Sequence, residues 1–417
     1  MSFSFDNVTV TVEGALDNNP FETVSTWTDI SSDVKNISIS RGRQHELAEF
    51  QSGSCTLKLK NTSQQYNPLN TSSPYYDATL GRSKIEPGKR IRIKAVYDSQ
   101  TYYLYDGYIA SIPQGFLLQG ADAVAEFRLV DAFKYFNLNK LEDRNWKLGQ
   151  STLGETTRLA YEDVVELSSA RVTRLLNSFG WPTARRTIRT GDDSVISQST
   201  DQTYLNALQD VETAEQGFFF MGPGTDGFNA KFYDRNYLIT QQSASNTTFG
   251  NGAGEKPFTD VLITFDDTKI INISNITRTG GVTQTRLDQE SIDRFGPYSE
   301  NISTINTTDA DTESIALQRV SAFKTPGVRV AQLILNPQSD ATLWPQALGR
   351  DLLDRVTVKV PLNTGDTLER DLFIDGITHE IDSTNNRWTW QLRTSPASEV
   401  GAWVFPAELG VSTILAW

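Results

Sequence analysis

The chain has 417 residues, of which 51 are acidic and 38 basic, for a formal net charge of −13, and it holds a single cysteine. That balance excludes a protein that wraps nucleic acid by neutralising phosphates with Lys and Arg, and one cysteine excludes an internal disulfide. The length exceeds one typical core, so two to four domains are expected; 10% aromatic residues and 28 glycines suit an all-β protein that buries rings and turns often.

In chain order, the N-terminal stretch shows no basic segment followed by an apolar one, so no secretory signal is visible and folding in the cytoplasm is expected. Phe3, Phe5, Val8, Val10 and Val12 form an opening strand. From Trp27 to Pro68 the pattern is strand, polar crossing, strand, with apolar positions at Ile37 and Ile39 and again at Cys55, Leu57 and Leu59. Period-two alternation puts Cys55, Leu57 and Leu59 on one face and Lys58 and Lys60 on the other, as in a sheet with one buried side. Gly42 and Gly53 mark the strand ends, where glycine permits the bulges that curl a sheet toward a barrel. Ile91, Ile93 and Ala95 with Tyr103 and Tyr105 predict a hairpin around Asp98-Ser99, and Ala123 to Val130 adds a strand. Residues 1–135 are therefore expected to form one β-barrel or sandwich.

The texture changes near residue 150, where Thr152 and Glu155 fit a capping box that opens a helix. A second helix is predicted from Ser168-Ser169, with Val172, Leu175, Leu176 and Phe179 on one face and Gly180, Trp181 and Pro182 as its stop. Residues 183–200 read as a polar linker that completes a helical connector over 136–200. A helix over 202–216, stopped by Gly217, and strands around Phe218-Phe219-Phe220 and Lys231-Phe232-Tyr233 predict a small α+β domain over 201–257, ending in a long Ser/Asn/Gly loop at 241–257. Residues 258–400 read as a second β-barrel, with strands at 261–263, 270–277, 329–335, 355–360, 371–381 and 387–394 and a helical insertion near 281–328. The tail 401–417 is apolar but broken by Pro406 and Gly410, too short to span a bilayer. No uncharged apolar run elsewhere reaches about 18 residues, so no stable membrane insertion is expected.

No residue set with catalytic, cofactor-binding or metal-ligating spacing emerges. Only His45 and His379 exist, whereas zinc and di-iron sites need three or four converging ligands. His379 sits mid-strand and is expected to make a structural hydrogen bond. Asp309, Asp311 and Glu313 suggest a calcium loop until Ser314 stands where its glycine belongs and Val320 where its glutamate belongs, so they read as acids at a helix N-terminus. The pairs Asp192-Asp193 and Asp266-Asp267 are expected by chance among so many acids.

Several motifs taken in order are similar to those of tailed-bacteriophage minor tail proteins of the tail hub, or baseplate hub, family. They are Trp27-x-Asp29-Ile30; Arg41-Gly42-Arg43; Glu49-Phe50-x-x-Gly53 running to Leu57-x-Leu59-x-Asn61; Tyr66-Asn67-Pro68; Tyr105-Asp106-Gly107-Tyr108; and a closing hairpin with Ile374, Gly376, Ile377, His379 and Ile381, then Trp388, Leu392 and Thr394-Ser395-Pro396. Gln64-Gln65 replaces the Asp-Gly turn more usual before Tyr66.

The resemblance implies a mainly β protein with α+β insertions, two β-barrel domains and a helical and α+β region between them. It implies a non-enzymatic structural virion protein at the distal tail tip, assembled in the host cytoplasm. In that role a homotrimer caps the tail tube and contacts a tail tube or distal tail protein, the tape measure protein and a tail fibre or receptor-binding protein, with transient non-specific contact to the genomic DNA that passes through its ring. Trp27, Arg41, Gly42, Arg43, Gly53, Asn61, Pro68, Gly107, Gly376, His379 and Trp388 are the signature residues it marks as structural. A tail-associated peptidoglycan hydrolase and a carbohydrate-binding adhesin are the alternatives. Arg41, Arg43, Lys89, Arg90, Arg92 and Lys94 are expected to face the tube or adjacent subunits and meet acidic partners there.

Overall fold

Alternating apolar and polar residues produce strands wherever the pattern lasts long enough, and the N-terminal half is built this way. The computed structural model describes residues 3–24, 26–115, 123–141, 165–196, 198, 201–241, 247–362 and 364–397. The opening segment is a hairpin, Phe3–Phe5 against Val8–Ala15, turned at Asp6 (φ 48°). Val8, Val10 and Val12 are fully buried. Arg90–Tyr97 lies between Val8–Ala15 and Gln100–Ser111, and the predicted turn residues Asp98 and Ser99 both take left-handed φ, 46° and 62°. Val34–Gly42 pairs with Gln51–Lys60, which pairs with Val124–Val130. Ile37, Ile39, Cys55, Leu57 and Leu59 point inward, while Lys58 and Lys60 are exposed.

The far side of Val34–Gly42 carries a strand from the other end of the chain, Thr367–Asp382. The two β halves therefore run as one sheet. From edge to edge its main path is Phe3–Phe5, Val8–Ala15, Arg90–Tyr97, Gln100–Ser111, Val124–Val130, Gln51–Lys60, Val34–Gly42, Thr367–Asp382, Arg387–Pro396, Arg329–Leu335 and Asp260–Thr264. The sheet curls into a half-barrel, and the fold is mainly β with smaller α/β elements, as expected.

The insertions follow their local signals. Helix Ser168–Phe179 ends at Gly180 (φ 86°) with Val172, Leu175 and Leu176 fully buried. Helix Tyr204–Glu215 is capped by Thr203, whose side chain accepts from the Asn206 amide. Its C-terminal left-handed residue is Gln216, one before the expected Gly217. Phe218–Pro223 and Phe228–Tyr233 form the predicted hairpin. The stretch read as a polar linker holds two short strands instead: Arg186–Ile188 adds in parallel to Phe228–Tyr233, and Ser194–Val195 pairs with Glu166–Leu167. Strands of two or three residues carry too little alternation to be seen in sequence, and their partners make them. Likewise Thr247–Phe249, within the predicted loop, pairs with Arg355–Pro361.

Ile273–Arg278, expected in the second barrel, belongs to a separate three-stranded sheet with Gln284–Leu287 and Ser299–Thr304. Helix Asp309–Phe323 packs on it through Ile315 and Ala316 against Ile276. That helix opens with a capping box of Thr308 and Asp311, so the acids read as helix-terminal are so placed. The predicted helix at Thr152–Glu155 and the tail 401–417 lie outside the described residues.

Two large apolar clusters fill the molecule. One gathers the N-terminal strands with Trp344, Leu348, Ile381 and Trp388; the other gathers the helices, the Phe218–Pro223 hairpin and the C-terminal strands, including Ile374 and Trp390. The closing hairpin thus serves both cores.

Candidate assembly face and the charge network behind it

One face of the central strands packs on the cores, and alternation leaves the other face polar. Register aligns Arg128, Thr56, Ser38, Glu380 and Thr389 across five strands, and Glu126, Lys58, Asn36, Asp382 and Arg387 in a second row. All ten side chains are half-buried or exposed. In these two rows three cations, Arg128, Lys58 and Arg387, balance three carboxylates, Glu126, Glu380 and Asp382, and Lys60, exposed on the same face, adds one cation in a chain of net charge −13. Arg128 donates to Glu126 at 2.7 Å and the Ser38 hydroxyl to Glu380 at 2.6 Å. The face spans both halves of the chain because Val34–Gly42 and Thr367–Asp382 are neighbours.

Behind it, the basic residues expected to seek acidic partners elsewhere find them within the chain. Arg90 Nε donates to Asp106 Oδ1 at 2.8 Å, and Arg185 and the Phe228 amide reach Asp106 Oδ2 at 3.2 and 2.8 Å. Burial alone would raise the Asp106 pKa, but the Arg90 and Arg185 guanidiniums outweigh it and hold the carboxyl below its usual range. Arg92 pairs with Glu13 at 2.7 Å and with Asp226, and Lys94 joins Glu13 at 2.7 Å. Arg41 pairs with Asp351, to which Lys231 also donates at 2.7 Å, and Arg43 Nε meets Asp375 at 2.7 Å. Lys89 reaches Glu86 at 3.5 Å. Arg41, Arg43, Arg90 and Arg92 are each under one tenth exposed. A buried charge is tolerable only when paired, so these side chains tie the α+β hairpin and the C-terminal strands to the N-terminal sheet.

No protein-family model matches the chain, and no curated protein matches its sequence. Among solved structures, a tail protein from Neisseria meningitidis MC58 matches over 93% of this chain and 96% of its own, at 11% identity and a TM-score of 0.55. The 43 kDa tail protein of prophage MuSo2 from Shewanella oneidensis matches over 94% and 98%, at 12% identity and a TM-score of 0.51. The chain has the fold of these tail proteins.

Within the tail-protein fold, the signature residues fall at the joins between strands. Gly42 takes φ 109°, and a Cβ there would lie 2.1 Å from the Asp375 carbonyl oxygen, so the two halves meet only because it is glycine. Gly376 lies opposite Gly42; a Cβ on it would strike the Arg393 guanidinium, which donates to the Arg43 carbonyl at 3.1 Å. Gly53 donates its amide to Asp131 at 2.6 Å, and a Cβ on Gly107 would lie 2.6 Å from the Val130 carbonyl. Asn61 is buried and accepts from the Tyr66 amide at 3.1 Å, fixing the turn that leads to Pro68, which is itself exposed. Trp27 stacks on Arg92, 3.8 Å from guanidinium carbon to ring centroid. His379 Nδ1 accepts from Trp388 Nε1 at 3.2 Å; burial, aided by the Arg41 charge, lowers the imidazole pKa to about 3, so it stays neutral.

Sequence reasoning passed over the acids that organise these joins. Asp106, Asp351 and Asp375 neutralise the arginines, and Asp131 accepts from Ser52, Gly53 and Phe133. Burial pushes Asp131 up to about 7, Glu215 to about 7 and Glu212 to about 8. One signal was present: Asp106 sits in an otherwise apolar Tyr-Asp-Gly-Tyr strand, where a charge must have a partner. Among the described residues no group of three or more His, Cys, Asp or Glu could hold a metal ion, and no helix is long and apolar enough to cross a membrane.

Proposed function

We propose that this chain is a structural component of a phage tail, a hub that closes the distal end of the tail tube as a homotrimeric ring and passes the genome through its centre. The single observation that carries the reading is the sheet that runs unbroken through both halves of a chain sharing its fold with two tail proteins. In this reading each β half stands for one subunit's worth of wall, so three copies would meet a sixfold tube. The mixed-charge face across the join is a suitable wall for a moving duplex, since its cations are nearly matched by carboxylates and it neither recruits phosphates strongly by counterion release nor repels them strongly. A tail tube or distal tail protein, the tape measure protein and a tail fibre or receptor-binding protein are the neighbours this role requires. In this reading the role is non-enzymatic, as a shared fold with tail proteins supports. Negative-stain projections and light-scattering mass of the purified chain test the proposal: rings of three times the monomer mass are expected, and a monomer at all concentrations that also fails to join tail tubes overturns it.

A further inference from the structure

The strand Arg186–Ile188 has a neighbour on one side only among the described residues, Phe228–Tyr233, with which it runs parallel. The Arg189 amide continues that ladder, donating to the Phe232 carbonyl at 2.9 Å. Backbone groups of alternate residues in a strand point to opposite sides, so Arg186 and Ile188 turn theirs to the open edge. Helix Ser168–Phe179 runs antiparallel beside it. At one end Arg186 Nη1 donates to Asn177 Oδ1 at 2.6 Å, and at the other the Ser168 amide donates to the Asp193 carbonyl at 2.9 Å. The helix lines the space between with short side chains, Ser169 and Thr173, followed by Asn177, and a cleft of about 530 Å³ remains between them and Ile188. That lies within the range of binding clefts, about 300–1,000 Å³.

The cleft is basic. Arg174 and Arg189 line it, and no carboxylate does among the described residues. Arg189 pairs with Asp234 at 2.8 Å, and Arg174 with Glu166. Arg186 instead meets only neutral oxygens, Asn177 Oδ1 and the Trp181 carbonyl, and its buried Nε has no hydrogen-bond partner. A half-buried cation without a counter-charge is costly, and a chain of net charge −13 has carboxylates in excess.

We propose that this cleft takes an extended acidic segment of a partner protein, which adds as a strand beside Arg186–Ile188 and sets a carboxylate against Arg186. The argument is independent of the tail-hub reading. From Ser169 to Asn177 the helix rises about 12 Å, the length of about four extended residues. An open strand edge offers both N–H and C=O groups, which a peptide backbone matches with its own. A nucleic-acid strand presents only acceptors along its phosphates and would engage the arginines alone.

Fluorescence polarisation with the full chain at 0.15 M salt tests this. The probes are a labelled alternating Glu-Val hexapeptide, its Lys-Val counterpart, a backbone N-methylated copy of the first, and single-stranded oligo-dT. The Glu-Val peptide is expected to bind at least about tenfold more tightly than the other three, and to lose about tenfold in Thr173→Trp, whose ring fills the cleft, and in Arg186→Gln. Hydrogen exchange should show the Ile188 amide protected by that peptide, with amides of residues 55–59 unchanged. Melting curves establish that the variants fold; if either does not, the peptide series and the Ile188 amide decide the matter on the native chain. Absence of saturable Glu-Val binding overturns the proposal, as does equal binding of the N-methylated copy or of oligo-dT, or binding that a folded Thr173→Trp leaves unchanged. Ile188 protection that rises with protein concentration in the absence of peptide also overturns it, since a second copy would then be the occupant.

Discussion

Replacing Trp388 by alanine tests the coupling of the closing hairpin to the N-terminal core. The ring is fully buried, meets Phe5 at 5.4 Å and Trp344 at 5.0 Å between centroids in edge-to-face geometry, and donates to His379 at 3.2 Å. Truncating a buried aromatic costs roughly 3–5 kcal/mol including its cavity. The stranded His379 acceptor adds about 1–3 kcal/mol, because burial holds that imidazole neutral and leaves its Nδ1 unpaired. At about 1–2 °C per kcal/mol for a chain of this size, the melting temperature should fall by roughly 4–16 °C. Trp388→Phe keeps most of the volume and loses only the donor, so it should lie between wild type and Trp388→Ala. Calorimetry of the three proteins at equal concentration checks the series. An alanine variant melting within about 2 °C of wild type would show that the N-terminal core does not depend on this ring.

Gly42→Ala should abolish recovery of soluble folded protein, since its Cβ would overlap the Asp375 carbonyl, whereas Gly81→Ala, with nothing within 4 Å, should cost only the backbone strain of φ 65°, about 1 kcal/mol; comparing soluble yields and melts of the two decides it. Glu212, Asp131 and Glu215 have folded-state pKa values raised by burial to about 8, 7 and 7. Below the unfolded values near 4 they are protonated in both states, and as pH rises to 8 only the folded state resists ionisation, so melting temperature should fall between pH 4.5 and 8, and Glu212→Gln should flatten that slope. Because Arg90 and Arg92 are tied to Asp106, Glu13 and Asp226, gel shifts should show no duplex binding at 0.15 M salt, and Arg90→Glu should lower the melting temperature; a salt-sensitive shift with the native chain would contradict this. Zymography with the purified chain should show no clearing of bacterial cell walls, and a cleared band would refute the structural role.

Local chemistry determined much of this protein from sequence alone. Strands such as Val8–Ala15 and Gln51–Lys60 announce themselves by alternation, helix Ser168–Phe179 by its apolar stripe and Gly180, and the turn at Asp98-Ser99 by its residue types, because each depends on neighbours a few positions away. The ordered glycines and Arg-Gly-Arg run also pointed to a tail-protein fold. Only the tertiary structure decided that Val34–Gly42 pairs with Thr367–Asp382, more than 300 residues later, since nothing in either strand specifies which edge it will meet. The same holds for Trp388, which alternation places inside but which only the join assigns to the N-terminal core. The arginines' partners were illegible for a related reason: Asp106, Asp351 and Asp375 are brought within ion-pair distance by the packing of separate elements, and in a chain with 51 acids any could have been chosen. Sequence determines which faces are apolar; the fold determines which faces meet, because that choice minimises exposed apolar area and unpaired charge over the whole chain at once.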